Sequence, residues 1–236
     1  MAAHGSGPGS EANLRTDRLA ALAAAKTVAG AASAAFHLGD PPFARVLDEL
    51  DCQEVVVVPL MTSRVYYCDE VLPRELEANR SFARTQVRIT DPVGVDPGMV
   101  GIVTSRARAL CDRHGFDRPR IVIVGHGTLR SDTSRAATEE LARRIGESGE
   151  WPAQPYFLDE EPRFDTVQAD HPDMDLIVVP FFIGSGTHVQ RDIRERLGIA
   201  CEDGGSGSAG RRIVVDRPVG EDPAIEDLIV SLAARD

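Results

Sequence analysis

The sequence is short of lysine, of closely spaced cysteines and of long apolar runs, and each shortage excludes a class of protein. Lys26 is the only lysine among 236 residues, and 37 acidic residues against 26 basic ones give a net charge of -11. Because nucleic-acid backbones are bound by basic surfaces, this balance argues against DNA or RNA as the main partner. The cysteines, at positions 52, 68, 111 and 201, form no CxxC pair, which argues against a zinc ribbon or an iron–sulfur cluster.

The shortage of long apolar runs also bears on the location of the protein. The apolar stretch 27–36 is too short to span a bilayer, and the chain does not open on a charged segment followed by an apolar one. Scattered thiols in a chain of this size are typical of a reducing compartment. We therefore expect a cytoplasmic protein without a membrane partner, whose length is sufficient for a real hydrophobic core.

What the sequence does contain is an internal repeat. Its two halves share motifs in one order, at offsets that stay between 121 and 126 residues. The matching segments are 4–6 with 126–128, Phe36 and Phe43 with Phe157 and Phe164, 55–61 with 176–182, and 91–97 with 217–223. Four anchors in the same order indicate a duplication.

Each half alternates predicted strands with predicted helices. The β-branched run 121–124 is typical of a strand that is buried on both faces. In the second half we predict strands at 121–124, 156–158, 176–182 and 212–215, and helices over 134–145, from 192 onward and after Asp222-Pro223. This alternation predicts an α/β fold of two tandem lobes, each with a parallel sheet flanked by helices, and a cleft between the lobes.

The repeat also predicts the domain boundaries. Residues 1–112 form the N-terminal lobe, 113–120 the linker and 121–236 the C-terminal lobe, and Gly115 is placed to end the helix before the linker. Only three residues precede His4, whereas a full strand precedes His126. The first strand of the N-terminal lobe is therefore predicted to be missing, which means either that the chain begins further upstream or that this lobe is degenerate.

Two histidines follow strands of the second half, at the sheet edge where ligands bind in such folds. His126 comes directly after strand 121–124, and His188 follows 176–182 on a glycine-rich loop. If the two strands are neighbours, both imidazoles face one point. Two neutral imidazoles suit a borderline divalent cation such as cobalt or ferrous iron, and they also suit general bases near neutral pH. The first half keeps His4 but has Tyr67 at the second position.

Charged residues near the strand ends are weaker candidates. Asp159 and Glu160 follow the second strand of the second half, where a solvated acidic turn is the commoner outcome. The remaining histidines of the loops, His37 and His171, are predicted to be surface groups. The arginines near strand ends, which can pair with an anionic substrate, are Arg64, Arg130, Arg135 and Arg191.

Together these segments resemble the sirohydrochlorin chelatases of the CbiX/SirB type, members of the class II chelatases. The resemblance covers nearly the whole chain and implies two flavodoxin-like lobes around a tetrapyrrole cleft. It also implies that His126 and His188 match the two active-site histidines of the family. The similar segments are GHGTLRSDTS at 125–134, FLDEEP at 157–162, VVPFFIGSGTHVQRDI at 178–193 and RPVGEDP at 217–223, with weaker copies in AHGS at 3–6, VVVVPLMTSRVYYCDEVLP at 55–73 and DPVGVDP at 91–97.

The same resemblance implies a reaction, in which Co²⁺ or Fe²⁺ enters a modified tetrapyrrole during cobalamin or siroheme synthesis. The two histidines would hold the cation and accept the pyrrole protons, while Asp159 or Glu160 would attract the cation or relay protons. Further substrate-binding candidates are Thr128, Ser185, Arg130 and Arg64. The metal is then a substrate, and neither an organic cofactor nor an iron–sulfur cluster is expected. Because the duplication supplies both lobes, a monomer is sufficient.

Two other classes of function stay open on the sequence alone. A non-catalytic carrier of metal or tetrapyrrole on the same scaffold is consistent with a degenerate first lobe, and turnover separates it from a chelatase. A phosphoryl-transfer enzyme with His126 as nucleophile requires arginines that clamp a phosphate, and Arg130 is the only close candidate.

Overall fold

Short apolar strands alternate with helices along the chain. The computed structural model describes residues 1–5, 16, 19, 31–50, 52–64, 66–128, 132–183, 187–199, 205–206 and 211–235. In these ranges the strands are β1 (Ala2–Ala3), β2 (Ala35–Phe36), β3 (Glu54–Val57), β4 (Gln86–Ile89), β5 (Arg120–Gly125), β6 (Ala153–Phe157), β7 (Leu176–Pro180), β8 (Gly205–Ser206) and β9 (Arg212–Val215). The helices are α1 (Phe43–Leu50), α2 (Leu72–Glu77), α3 (Gly98–His114), α4 (Thr133–Glu147), α5 (Val167–Asp170), α6 (Thr187–Leu197) and α7 (Ala224–Ala234).

Packing divides the chain into two units that differ from the two sequence repeats. The first unit consists of Met1–Asp96 with Pro223–Asp236, and the second of Pro97–Asp222. Helix α3 therefore belongs to the second unit and α7 to the first, whereas the predicted boundary at 113–120 keeps each helix with its own repeat. The chain passes from one unit to the other at Asp96-Pro97 and again at Asp222-Pro223, which is the Asp-Pro step of the repeated motif. A sequence repeat shows that the two halves arose by duplication. The apolar face of a helix, however, packs against whichever sheet the connecting chain allows it to reach.

The second unit holds a five-stranded sheet in the order β6-β5-β7-β9-β8, parallel except for β8. Its central strands are buried from residue 121 to 125 and from 176 to 180, as the β-branched runs predict, and alternate residues face opposite sides. One face packs on α5 and α6 around Tyr156, Phe164 and Ile193. Helices α3 and α4 contact the strands as well. The predicted parallel sheet flanked by helices is confirmed.

The first unit repeats this strand order with a much shorter first strand. β1 pairs with β2, β3 pairs with β4, and all of these pairs are parallel. The amide of Ala2 donates to the carbonyl of Val58 at 3.0 Å, and the amide of Leu60 donates to the carbonyl of Ala2 at 2.8 Å. The prediction of a missing first strand is therefore wrong, since two residues join both neighbours. A cavity of about 590 Å³ lies beside this short strand, between Leu47, Val57 and Ile229.

The repeated Pro-Val-Gly motif holds the loop that follows the third strand of each unit. The amide of Gly220 donates to the carbonyl of Phe182 at 2.9 Å, and that of Gly94 donates to the carbonyl of Met61 at the same distance. A Cβ on Gly220 would lie 1.9 Å from the carbonyl oxygen of Ile183. Only glycine permits this approach of the two backbones.

A buried arginine anchors α3 in the second unit. The Arg106 side chain is 9% exposed, and its Nη2 lies 2.6 Å from Oδ2 of Asp216. Its Nη1 donates to the carbonyl of Pro218 at 3.2 Å, and its Nε lies 3.8 Å from Asp222. In the first unit, Arg235 after α7 pairs with the buried Asp96 at 2.6 Å. Helices α3 and α7 are thus each held in the unit where they pack by an arginine–aspartate pair. Gly115, with φ of 66°, ends α3 as predicted.

His171 is buried, contrary to the prediction that it is a surface group. It is 8% exposed, and its Nε2 lies 3.1 Å from the hydroxyl of Tyr156. That hydroxyl donates to Asp170 at 2.9 Å, so the imidazole supplies the hydrogen to the phenolic oxygen. Burial, together with the nearby positive charge of Arg120, lowers the pKa of His171 below its ordinary value of 6.5.

This histidine is expected to make the second unit less stable in acid. The imidazole takes up its proton near pH 6.5 in the unfolded chain, but only at lower pH in the folded chain. The contribution of this group to the free energy of unfolding is therefore fully present above pH 6.5 and decreases as the pH falls below that value. The loss reaches at most about 1.4 kcal/mol per pH unit. Urea unfolding at pH 7.5, 6.5 and 5.5, followed by the fluorescence of Trp151, should show a steeper fall for the wild type than for His171→Gln. Parallel curves for the two proteins would contradict the prediction.

Among the described residues, no helix has both the length and the apolar character that crossing a membrane requires.

Candidate functional site

His126 stands at the carboxyl edge of the second unit's sheet, directly after β5 and beside β7. The loop that carries it turns at Gly127, where φ is +74°. A Cβ at that position would meet Cγ of Glu160 at 2.6 Å, so glycine serves both the turn and the close approach. The amides of Leu158 and Asp159 both donate to the carbonyl of His126 at 3.1 Å. The loops after β5 and β6 are therefore joined at the site.

The Nδ1 atom of His126 is held by acceptors. It lies 3.1 Å from the carbonyl oxygen of Gly127 and 3.1 Å from Oδ2 of Asp159. Because neither partner can donate, Nδ1 carries the hydrogen, and in the neutral ring Nε2 keeps its lone pair. The His126 side chain is 64% exposed. The arrangement of carboxylate and imidazole presents a nitrogen that can bind a cation or accept a proton.

Glu160 is buried, whereas the sequence favoured a solvated acidic turn. It is 7% exposed, and its carboxylate accepts from Arg135 at 2.7 Å and from the amide of Thr128 at 3.3 Å. The Arg135 guanidinium stacks over the ring of Phe157, 4.9 Å from its centroid. This pair fixes the loop of His126. Of the two predicted carboxylates, Asp159 is the one that faces the imidazole.

A pocket of about 400 Å³ opens beside His126 and Asp159. Its other wall is α6, which contributes charges of both signs: Arg191, Asp192, Glu195 and Arg196. Arg196 forms ion pairs with Asp192 at 3.2 Å and with Asp165 at 3.3 Å, which partly neutralise its charge. Arg191 is more exposed and pairs with Glu195 at 3.4 Å. Of the predicted arginines, Arg191 lines this pocket, whereas Arg135 is bound to Glu160 next to the loop of His126.

The other candidates are placed as follows. His188 is the second residue of α6, whose first turn follows β7, and its side chain is not among the described ones. Arg130 and Ser185 lie outside the described residues. Arg64 belongs to the first unit, where it pairs with Asp91 and Asp69. Among the described side chains, no group of three or more His, Cys, Asp or Glu residues is spaced to hold a metal.

The sequence reasoning missed an aromatic cluster at the equivalent edge of the first unit. His37, predicted to be a surface group, has its Nδ1 2.7 Å from Glu75 Oε1. Its ring centroid lies 5.6 Å from that of His4 and 5.2 Å from that of Tyr67. Tyr67 and His4 meet edge to face at 4.5 Å. The signal in the sequence is the position of each histidine directly after a short apolar segment, but the two-residue strand before His37 is too short for any pattern to indicate it.

Two α/β units in one chain, with parallel strands flanked by helices, place the protein in the α/β class, and sequence comparison identifies its family. The CbiX family matches residues 1–110 and again 120–235, so the chain belongs to the CbiX family. A probable sirohydrochlorin cobaltochelatase of Halobacterium salinarum is 32% identical over 183 residues. That alignment covers 68% of this chain and 63% of the relative, so less than two thirds of the relative is spanned.

Solved structures share the fold over almost the entire length. SirB from Bacillus subtilis, determined with Fe³⁺, has a TM-score of 0.79 at 16% identity, with 99% of this chain and 94% of that chain covered. CbiX, described as the terminal enzyme for biosynthesis of siroheme in denitrifying bacteria, has a TM-score of 0.77 at 24% identity, with 100% and 98% covered. At these identities the comparison establishes the fold alone, and it confirms the predicted α/β fold.

Proposed function

We propose that this protein is a sirohydrochlorin chelatase that inserts Co²⁺ or Fe²⁺ into a modified tetrapyrrole. The observation that carries the proposal is the hydrogen bonding of His126, which leaves Nε2 with a lone pair at an open sheet edge. Membership of the CbiX family and the name of the Halobacterium relative support it. His188, at the start of the neighbouring helix, is the second proposed metal-binding and proton-accepting residue.

The chemistry requires a group that binds a cation and also accepts protons. Metal insertion replaces two pyrrole N–H protons by one divalent cation, so two protons must leave as the metal–nitrogen bonds form. An imidazole that loses its metal to the macrocycle regains a free lone pair and can take one of these protons. The carboxylate of Asp159, 3.1 Å from Nδ1 of His126, lies beside the imidazolium that results.

A site that passes on its metal must not hold it too firmly. Two imidazoles with water in the remaining positions bind more weakly than a closed four-ligand cage. The charge pattern of the pocket fits the two substrates as well, because Asp159 and Glu195 attract the cation and Arg191 can pair with a tetrapyrrole carboxylate. Glu160 is assigned a positioning role, since its carboxylate is engaged by Arg135. The proposal requires no organic cofactor, and one chain suffices.

The carrier hypothesis uses the same residues and differs in turnover. The phosphoryl-transfer hypothesis is less well supported, because it needs several arginines that clamp a phosphate, and of the described arginines near His126 only Arg191 has a single, exposed carboxylate partner. Arg135 is bound to Glu160, and Arg196 is bound to Asp192 and Asp165.

The decisive experiment is metallation of sirohydrochlorin under anaerobic conditions. Purified protein is mixed with the tetrapyrrole and with Co²⁺ or Fe²⁺, and the shift of the tetrapyrrole absorbance bands is followed against a blank without protein. We expect a rate well above the blank with at least one of the metals. Binding of the tetrapyrrole without any rate above the blank would reject the chelatase and favour the carrier. Release of phosphate from a general phosphatase substrate would instead favour the third hypothesis.

A further inference from the structure

We infer that the first unit carries a second divalent-metal site, formed by His4 and His37. The two histidines follow β1 and β2, which are paired in parallel with Ala3 opposite Phe36. The amide of His37 donates to the carbonyl of Ala3 at 3.1 Å, and the amide of Leu38 donates to that of His4 at 2.8 Å. The ladder therefore continues past both strands and holds the two residues side by side at the carboxyl edge.

Both imidazoles are held in the tautomer that binds a metal through Nε2. The Nδ1 of His4 lies 2.9 Å from the carbonyl oxygen of Gly5, and the Nδ1 of His37 lies 2.7 Å from Glu75 Oε1. Neither partner can donate, so each Nδ1 carries the hydrogen and each Nε2 keeps its lone pair. A carboxylate behind a histidine in this way fixes the tautomer and orients the ring.

The separation of the rings suits one shared ion. Two imidazoles that bind one ion through nitrogen at about 2.1 Å have centroids roughly 5 Å apart at a tetrahedral angle. The centroids of His4 and His37 are 5.6 Å apart, which is close to that separation. Tyr67 packs edge-on against both rings and limits their rotation. Water completes the coordination, because the described side chains do not include a third ligand of the usual kind.

This site is not a copy of the one in the second unit. His37 follows β2 directly, and the residue that follows β6 directly is Leu158, so the second unit has no imidazole at that position. The donor set of two nitrogens favours borderline cations such as Co²⁺, Ni²⁺ or Zn²⁺ over Mg²⁺ or Ca²⁺. The inference concerns residues that the proposed chelatase function does not use, so it stands or falls separately.

The test counts metal ions bound to a protein whose second-unit histidines have been removed. The untagged full chain with His126→Ala and His188→Ala is dialysed against Co²⁺, and bound metal is measured by elemental analysis. We expect one Co²⁺ per chain to remain. Adding His4→Gln or His37→Gln should weaken binding at least about tenfold, and Glu75→Gln should weaken it by about 10–100-fold. Adding His114→Gln, a histidine outside the cluster, should leave the stoichiometry at one.

Two results would overturn the inference. The first is the absence of stoichiometric Co²⁺ from the double variant while its far-UV circular dichroism matches that of the wild type. The second is binding that His4→Gln removes but His37→Gln leaves intact, because the terminal amine and His4 would then hold the ion. Nitrogen-15 chemical shifts of the imidazoles give an independent check. Both rings should have Nδ1 protonated before metal is added, and both Nε2 signals should shift on titration with Zn²⁺.

Discussion

Replacing His126 with alanine is expected to lower the rate of metal insertion by about 10²–10⁴-fold. In the proposed mechanism the variant loses both the nitrogen that takes the cation and the base that accepts a pyrrole proton, while the fold is retained because the side chain is exposed. The measurement is kcat/KM for Co²⁺ insertion into sirohydrochlorin under anaerobic conditions. Asp159→Asn keeps the imidazole but removes the charge behind it, so a smaller loss of about 10–100-fold is expected.

The matched control is His114→Ala, which removes a histidine that lies outside both inferred metal sites. It should leave kcat/KM close to the wild-type value, since the proposed insertion site does not include it. If His4→Ala abolishes insertion and His126→Ala does not, the reaction belongs to the first unit and the assignment of His126 is wrong. If both variants are fully active, neither imidazole takes part in the chemical step.

Replacing Arg106 with methionine is expected to lower the free energy of unfolding of the second unit by about 3–5 kcal/mol. The long apolar side chain fills most of the volume, but Asp216 and Asp222 lose the cation that compensates them away from water. The carbonyl of Pro218 loses a donor as well. Urea unfolding followed by the fluorescence of Trp151, the only tryptophan of the sequence and a residue of this unit, reports the change.

Arg108→Met on the same helix is the control for this change. Arg108 pairs with Glu150 at 2.6 Å, but its side chain is 56% exposed, and exposed pairs of this kind contribute at most about 1 kcal/mol. If both variants lose the same free energy of unfolding, the buried ion pair contributes no more to stability than the exposed one. Arg106→Lys keeps the charge but not the geometry of the guanidinium, so its free energy of unfolding should lie between those of the wild type and Arg106→Met.

Local patterns predicted the second half of the fold well. The run 212–215 coincides with β9, and the predicted helix 134–145 lies inside α4. The first turn of α6 was missed, because the glycine-rich segment before it favoured a loop. The first unit was harder, since a two-residue strand such as β1 has no periodicity that a sequence can reveal. Its existence depends on hydrogen bonds to β2 and to Leu60, both distant in the chain.

The placement of a site residue was predictable where the preceding strand alone determines it. His126 directly follows a strongly β-branched strand, and the structure places it at the predicted edge. Burial of Glu160 and His171 was not predictable, because each depends on a partner that tertiary folding supplies: Arg135 for the first and Tyr156 for the second. The pairing of His37 with Glu75 is of the same kind, since 38 residues separate the two.

The exchange of α3 and α7 between the units sets the order in which the protein can be completed during synthesis. Every element of the second unit lies within Pro97–Asp222, so this unit has its full complement before the chain reaches α7. The first unit has its last strand, β4, by Ile89 but waits for Ala224–Ala234. On the ribosome the usual order of domain completion is therefore reversed. Ile229, which is 2% exposed in the folded protein, belongs to the helix that closes the first unit last.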